Sequence, residues 1–396
     1  MLAHNPISFI NHFHQELTAL RRDLHAHPEL GFEEARTSSV IAGALLAMGV
    51  EVHRNIGRTG VVGIIRGRRD LSGRSIGLRA DMDALPLDEK NSFDHTSQHV
   101  GCMHGCGHDG HTAILLGAAK YLATTRAFDG TVVLIFQPAE EGLGGAKAML
   151  DDGLFERFPC DAVFALHNWP ALAPGIIGLN SGPMMAAADR FEIVVDGRGG
   201  HGAHPYQTID PVVMAAQIVT ALQSIVSRNV NPQDAAVISV GAIQAGNLTA
   251  MSVIPDQATI VGTVRTFKDS VQILVETRMK DLVAGLALGF GGSATLKYDR
   301  LYPATINHPA HAQFVADVAS DLFGEDQVVK DLMPSMGAED FSFMLREKPG
   351  AYFRLGQGGA ENGSFLHNPH YDFNDAVIPR GAALFAALAE RFMPLD

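Results

Sequence analysis

Along the first half of the chain, short apolar runs rich in β-branched residues alternate with longer stretches whose apolar positions recur at helical spacing. Val61–Arg66 and Ser75–Ala80 are apolar and β-rich, and Thr131–Phe136 and Asp161–Leu166 are continuous apolar runs, the pattern of strands buried on both faces. Residues from about Ile7 to Ala26, Thr37–Met48 (stopped by Gly49), His111–Ala123 and Gly144–Leu150 have helical patterns. This order predicts an α/β domain, a largely parallel sheet flanked by helices.

The pattern changes near Ala188. Arg190–Asp196 (RFEIVVD) alternates as a half-buried strand, and a helix is predicted from Asp210 to Arg228. Strands at Val237–Ala245 and Gln257–Phe267, a helix from about Asp269 to Leu288 and a strand at Ser293–Tyr298 come next. The order β-α-β-β-α-β is that of a ferredoxin-like α+β unit. After Tyr302 the helix-rich pattern resumes, with His308–Leu322, Ala338–Leu345, the strand-like Ala351–Leu355 and a last helix near Asp375–Arg391. The chain therefore reads as one domain in two parts, residues 1–187 and 301–396, interrupted by a smaller domain at 188–300.

Composition narrows the function. A formal net charge of −13 with no basic stripe excludes nucleic acid as the natural partner. The longest apolar stretches, Val40–Val50 and Thr112–Ala119, are shorter than the ~20 residues that span a bilayer, so no membrane partner is expected. The first residues lack a basic segment followed by an apolar one, and the 3 cysteines do not suggest a disulfide framework. A cytoplasmic location is the resulting expectation. Against a single tryptophan stand 18 histidines, many beside Asp, Glu or Gly in apparent loops, which points to metal chemistry.

In open α/β sheets, ligands bind beyond the carboxyl ends of the strands. Here Ser75–Ala80 runs into Asp81-Met82-Asp83, Thr131–Phe136 into Gln137-Pro138-Ala139-Glu140-Glu141, and Asp161–Leu166 into His167-Asn168. Three strand ends thus deliver acids and a histidine to one edge. In the dense segment Gly101–His111, Cys106 and His108 are separated only by a glycine and can turn toward one ion. Of the adjacent Glu140 and Glu141, one can bind metal while the other faces an attacking water, because neighbouring side chains diverge along an extended backbone. Two glycine- or proline-flanked loops also carry histidines, His201 and His204 in RGGHGAHP and His367 and His370 in FLHNPH. Without a further role, His104, His111, His204 and His370 read equally well as ordinary histidines.

These segments together resemble the hippurate hydrolase and indole-acetyl-amino-acid hydrolase branch of the aminoacylase and carboxypeptidase metallopeptidases. The motifs run nearly the whole chain: RRDLHAHPELGFEE, GLRADMDALPLDE, HGCGHDGHTA, FQPAEEGLGGAKAML, ALHNWP, GRGGHGAHP, GNLTAMSVIPDQATIVGTVRTF, MGAEDFSFM and FLHNPHYDFND. The resemblance implies that Cys106, His108, Glu141, His167 and His367 hold two divalent ions and that Glu140 is the general base. It also implies that His201 holds the substrate oxygen, that Asn247 and Arg265 lie near the substrate carboxylate, and that Asp83 orients a ligand. Asp81 stands where distant relatives carry a metal-binding histidine. The inserted domain would be a lid through which the chain forms a homodimer or a higher homo-oligomer.

The activity implied is metal-dependent hydrolysis of N-acyl-L-amino acids such as hippurate. Five side chains cannot fill two tetrahedral sites, so the Cys106 thiolate is a candidate bridge. Thiolate favours zinc, while carboxylate and imidazole admit manganese, cobalt or nickel. A dipeptidase or aminopeptidase with the same centre is one alternative; it would need an acid to receive a free amino terminus. A catalytically silent metal-binding protein is the other, and Glu140 argues against it.

Overall fold

The computed structural model describes residues 5–395. The chain forms two compact units. One runs up to Met184 and takes in Ile306–Pro334 and the chain from Asp340; the other is Met185–Thr305 with Ser335–Glu339.

At the centre of the first unit four strands lie parallel, in the order Thr131–Gln137, Ser75–Asp81, Ala162–Trp169 and Gly350–Gly356. Nearly every residue of these strands is buried, which is why they read as continuous apolar runs. Gly60–Arg66 and then Glu51–Ile56 extend one side of the sheet, each antiparallel to its inner neighbour. The short strands Ile177–Gly178 and Val328–Val329 extend the other. Glu51–Ile56 (EVHRNI) is half exposed at the edge and shows no clean alternation, so the sequence pattern does not reveal it. His108–Thr125 is buried along most of its length and, with Ile378–Phe392, belongs to the same hydrophobic core. The predicted helix Ile7–Ala26 is two, Pro6–Asn11 and His14–Ala26, separated where Phe13 turns into the core with its ring edge-on to Phe9. Ala338–Leu345 is corrected to Phe341–Glu347.

The second unit has a four-stranded antiparallel sheet in the order Ala236–Ala245, Gln257–Thr266, Ala187–Asp196, Ser293–Tyr302. Numbered along the chain the order is second, third, first, fourth, the ferredoxin-like arrangement. In the first of these strands Phe191, Ile193 and Val195 are buried against Met214, Ile218 and Val275, while Arg190, Glu192 and Val194 are not. Asp210 caps the helix Pro211–Ser224, its carboxylate accepting from the backbone of Val212 at 2.8 Å, and Pro211 sits where no N–H is needed. The helix closes in a π-turn, Ile225–Asn229, where the sequence pattern predicts continuation to Arg228. Ser335–Glu339 lies outside the 188–300 span read from strand order. It joins this unit through backbone bonds from Ala186 to Ser335 (3.1 Å) and Gly337 (2.8 Å), contacts that carry no side-chain signature. No described helix is long and apolar enough to cross a membrane.

Candidate metal centre

The loop before the helix His108–Thr125 is pinned at several points. Leu85 and Met103 exchange backbone bonds, and the His367 N–H donates to the Gly105 carbonyl at 2.8 Å, joining two loops distant in sequence. Gly107, between Cys106 and His108, sits at φ 93°, a conformation that glycine adopts without steric cost. Ala139 (φ 53°) and His367 (φ 63°) hold left-handed conformations without that freedom, and such backbone strain gathers where a site is over-determined by its surroundings.

Asp83 organises the centre. His108 Nδ1 donates to its carbonyl (2.9 Å) and its carboxylate (3.1 Å), and the other carboxylate oxygen accepts from the Glu141 N–H at 3.0 Å. This fixes the His108 tautomer and leaves Nε2, fully buried, without a hydrogen-bond partner. Glu141 Oε1 likewise makes no hydrogen bond, lying 3.2 Å from His367 Nε2 and 4.0 Å from His108 Nε2. His167 donates from Nδ1 to the Asn168 carbonyl (2.7 Å), which turns Nε2 toward Cys106 Sγ at 3.4 Å.

The ligand atoms of Cys106, His108 and His167 all lie within 4.8 Å of one another, and so do those of Cys106, Glu141 and His367. The two triads share only Cys106. His108, Glu140 and Glu141 form a further cluster at the same spot. Buried atoms left unpaired cost about 1–3 kcal/mol each, and a cation between these donors would remove that cost. The donors themselves, one thiol, three imidazoles and a carboxylate, suit divalent transition ions.

The electrostatics agree. Burial pushes the Cys106 thiol well up, and the charges of Glu141, Glu140 and Asp81 add to it. Burial alone would lower His108, but Asp81, Asp83 and Glu141 raise it to about 10. Burial and the neighbouring His111 hold His167 well below its ordinary value. Cation binding would oppose the carboxylate field and deprotonate the thiol. Metal-free protein should therefore react slowly with a thiol reagent at Cys106 at neutral pH, faster as pH rises, whereas metal-loaded protein stays protected throughout. Peptide mass mapping checks this; equal labelling with and without metal across the pH range would count against coordination.

Asp81 accepts from Arg79 at 2.7 Å and lies 2.5 Å from His111 Nδ1. Arg79 is fully buried; it also donates to Gln137 (2.8 Å) and Asp340 (3.3 Å). Removing one partner of a buried charge cluster costs about 3–5 kcal/mol, so Arg79→Met should lose that much stability in urea unfolding of the metal-free protein. A loss below about 1 kcal/mol would mean that Asp81 and Asp340 find other partners. His111, which the sequence leaves open as an ordinary histidine, is a buried part of this network; its placement three residues after His108 on one helix face was the available signal. His104 is also buried, its ring nitrogens without hydrogen bonds, while His204 and His370 are exposed.

Glu140 is 7% exposed, and its carboxylate accepts from the Asp340 N–H at 3.4 Å. Three expected site residues belong to the second unit. His201 is exposed on a short strand paired with Val253–Ile254, its Nδ1 accepting from the Ala203 N–H at 3.0 Å. Asn247 is exposed, its side-chain oxygen accepting from Thr249. Arg265 is half buried, donates to Thr263 and to the Val264 carbonyl (3.1 Å), and borders a cavity of about 450 Å³ with Asp189, Ser239 and Leu301. The unit does not bring Asn247 and Arg265 together. Arg265 pairs with Val237, whereas Ala245, two residues before Asn247, pairs with Ala258. At ~3.4 Å per residue the seven steps from 258 to 265 put Ala245 about 24 Å from Arg265 along the sheet, and two further residues, about 7 Å of chain at most, do not bring Asn247 back to it.

Residues 77–391 match the profile of Peptidase family M20/M25/M40. This chain belongs to that family. The M20 chain is 44% identical over 378 residues to a hippurate hydrolase of Campylobacter jejuni, covering 96% of this chain and 97% of that one. It is 40% identical to an N-acetylcysteine deacetylase of Bacillus subtilis, covering 95% and 97% respectively. Its fold superposes on the crystal structure of the Bacillus subtilis YXEP protein, described as a dinuclear metal-binding peptidase of the M20 family, with a TM-score of 0.84 at 36% identity, covering 96% and 98%. As a member of this family the chain is an amidohydrolase, and its clustered thiol, imidazole and carboxylate donors lie in the unit that carries the parallel sheet.

Proposed function

We propose that this M20 enzyme hydrolyses the amide bond of N-acyl-L-amino acids, using two divalent ions held by Cys106, His108, Glu141, His167 and His367. The observation that carries the reading is the pair of ligand triads meeting at Cys106, with the buried Glu140 beside them. Cys106, which alone belongs to both triads, would be a ligand common to the two. Bound divalent ions would polarise the acyl carbonyl and lower the pKa of the attacking water. Glu140 takes that water's proton and returns it to the leaving nitrogen. Asp83 acts on the ligands, by holding His108 in one tautomer and the Glu141 backbone in place.

From the second unit, His201 would hydrogen-bond the oxyanion, a contact worth roughly 3–4 kcal/mol in preorganised sites. Arg265, whose guanidinium makes no ion pair among the described residues, suits the carboxylate of the amino-acid half. With Ala245 about 24 Å from Arg265 along the sheet, Asn247, two residues further on, stays well over ~10 Å from Arg265, too far for both to grip a single carboxylate. Asn247 and Arg265 can serve one site only if a second copy of the chain supplies one of them, which supports a homodimer. A cytoplasmic location suits the buried free thiols Cys102, Cys106 and Cys160.

The relatives span a benzoyl and an acetyl substrate by name, so the acyl preference is a question for assay. The test is release of the amino acid from hippurate, N-acetylcysteine and an unprotected dipeptide, with chelator and after reconstitution with zinc, manganese, cobalt or nickel. Chelator-sensitive turnover of the acylated substrates supports the reading; turnover of the dipeptide alone would replace it with a peptidase.

A further inference from the structure

Four of the five proposed ligands, Cys106, His108, His167 and His367, reach the centre from a loop, a helix start, a strand end and a second loop, and one group of buried polar side chains touches all four of these stretches. Asn168 directly succeeds His167. Its side-chain amide donates to Tyr371 Oη at 2.7 Å and to Gln357 Oε1 at 2.9 Å, and Tyr371 Oη donates to the same Gln357 oxygen at 3.1 Å. His111 spans Asp81 and Asn168 with its two ring nitrogens, at 2.5 and 2.7 Å from their side-chain oxygens. Tyr371, four residues after His367, is fully buried, as are Asn168 and His111.

Gly107 is pressed against this group. A Cβ at Gly107 would lie 2.5 Å from Asn168 Oδ1 and 2.6 Å from Tyr371 Oη, far inside van der Waals contact. The backbone that carries Cys106 and His108 on either side of Gly107 therefore rests directly on the amide and hydroxyl that are tied to His167 and to the His367 loop.

We propose that Tyr371, acting through Asn168 and Gly107, is a positioning residue that sets the separation of Cys106 and His108 from His167. The proposal rests on the reading of those three residues as metal ligands. Groups that hold metal ligands in place typically contribute roughly 10- to 100-fold in metal affinity. Tyr371→Phe keeps the ring and its packing and removes only the hydroxyl.

The test uses the full chain and three readouts: affinity for zinc in competition with a chelator, the visible absorption of the cobalt-loaded protein, and the melting midpoint of the metal-free protein. Tyr371→Phe is expected to weaken zinc binding roughly 10- to 100-fold. It should also alter the thiolate-to-cobalt absorption and leave the metal-free midpoint within about 4 °C of wild type, the shift expected from losing the two hydrogen bonds of the hydroxyl in a chain of this size. Asn168→Ala, which also loses the contacts to His111 and Gln357, should weaken zinc binding at least as much, and the double variant should lose little more than Asn168→Ala alone, because the Tyr371 contact is already gone. Unchanged affinity and absorption in both variants would overturn the proposal, as would a large fall in the metal-free midpoint with affinity intact, which marks a purely structural role. Cys106→Ala separates this failure from failure of the ligand assignment: wild-type zinc affinity and cobalt absorption in that variant would remove the assignment itself.

Discussion

Replacing Glu140 with glutamine is expected to lower kcat on the best N-acyl amino acid by roughly 100- to 10,000-fold while metal content stays at the wild-type level. The substitution preserves size and the ability to accept the hydrogen bond that Glu140 takes from the Asp340 N–H, so folding should be undisturbed. It removes the one property the reaction needs, a carboxylate that accepts the water's proton and gives it up to the departing nitrogen. Glu141, its neighbour, is not expected to substitute, because its Oε1 faces His367 at 3.2 Å and His108 at 4.0 Å and belongs to the proposed ligand set. KM should change little, since the lost contact operates in the transition state. Metal analysis and steady-state kinetics on the same preparation check this, and activity within tenfold of wild type would remove Glu140 from the role.

Mixing two inactive variants, His201→Ala and Glu140→Gln, is expected to restore activity. His201 belongs to the second unit and every proposed metal ligand to the first. If a symmetric dimer presents His201 to the neighbouring subunit's centre, some mixed dimers hold one site with both residues intact. Random exchange makes about half the dimers mixed, each with one working site of two, so roughly a quarter of wild-type activity should return. Recovery should appear only after subunit exchange, demonstrated for instance by mass-tagged chains. Exchange without recovery would leave closure of each chain's own second unit over its own centre as the explanation. The same experiment with Arg265→Ala or Asn247→Ala in place of His201→Ala would identify which of that separated pair comes from the partner.

Much of the centre is legible in the chain because strand ends in an open α/β sheet all point to one edge. Asp81, Glu140 and His167 each succeed or end an apolar run, and the structure places those runs side by side as Ser75–Asp81, Thr131–Gln137 and Ala162–Trp169. The glycine between Cys106 and His108 likewise announces a backbone conformation that side-chain-bearing residues avoid. Weaker signals fail for a physical reason. Glu51–Ile56 lies at a solvated edge, where burial does not enforce alternation, and Ser335–Glu339 is held through its own backbone carbonyls, which any residue types supply.

The sequence by itself determined the fold class, the interruption by a ferredoxin-like unit and the residue types gathered for metal chemistry, because periodicity and local spacing encode which face is buried and which side chains stand at each strand end. Only the tertiary structure decided how those residues divide. It grouped the donors into two triads around Cys106, and it gave Asp83 to His108 and the Glu141 backbone. It also drew His111, Asn168 and Tyr371 into one buried network, and it set Arg265 at the end of the sheet remote from Ala245, after which Asn247 follows. These are contacts between residues up to hundreds of positions apart, fixed by packing and by hydrogen-bond geometry in a low-dielectric interior, and no local pattern in the chain carries them.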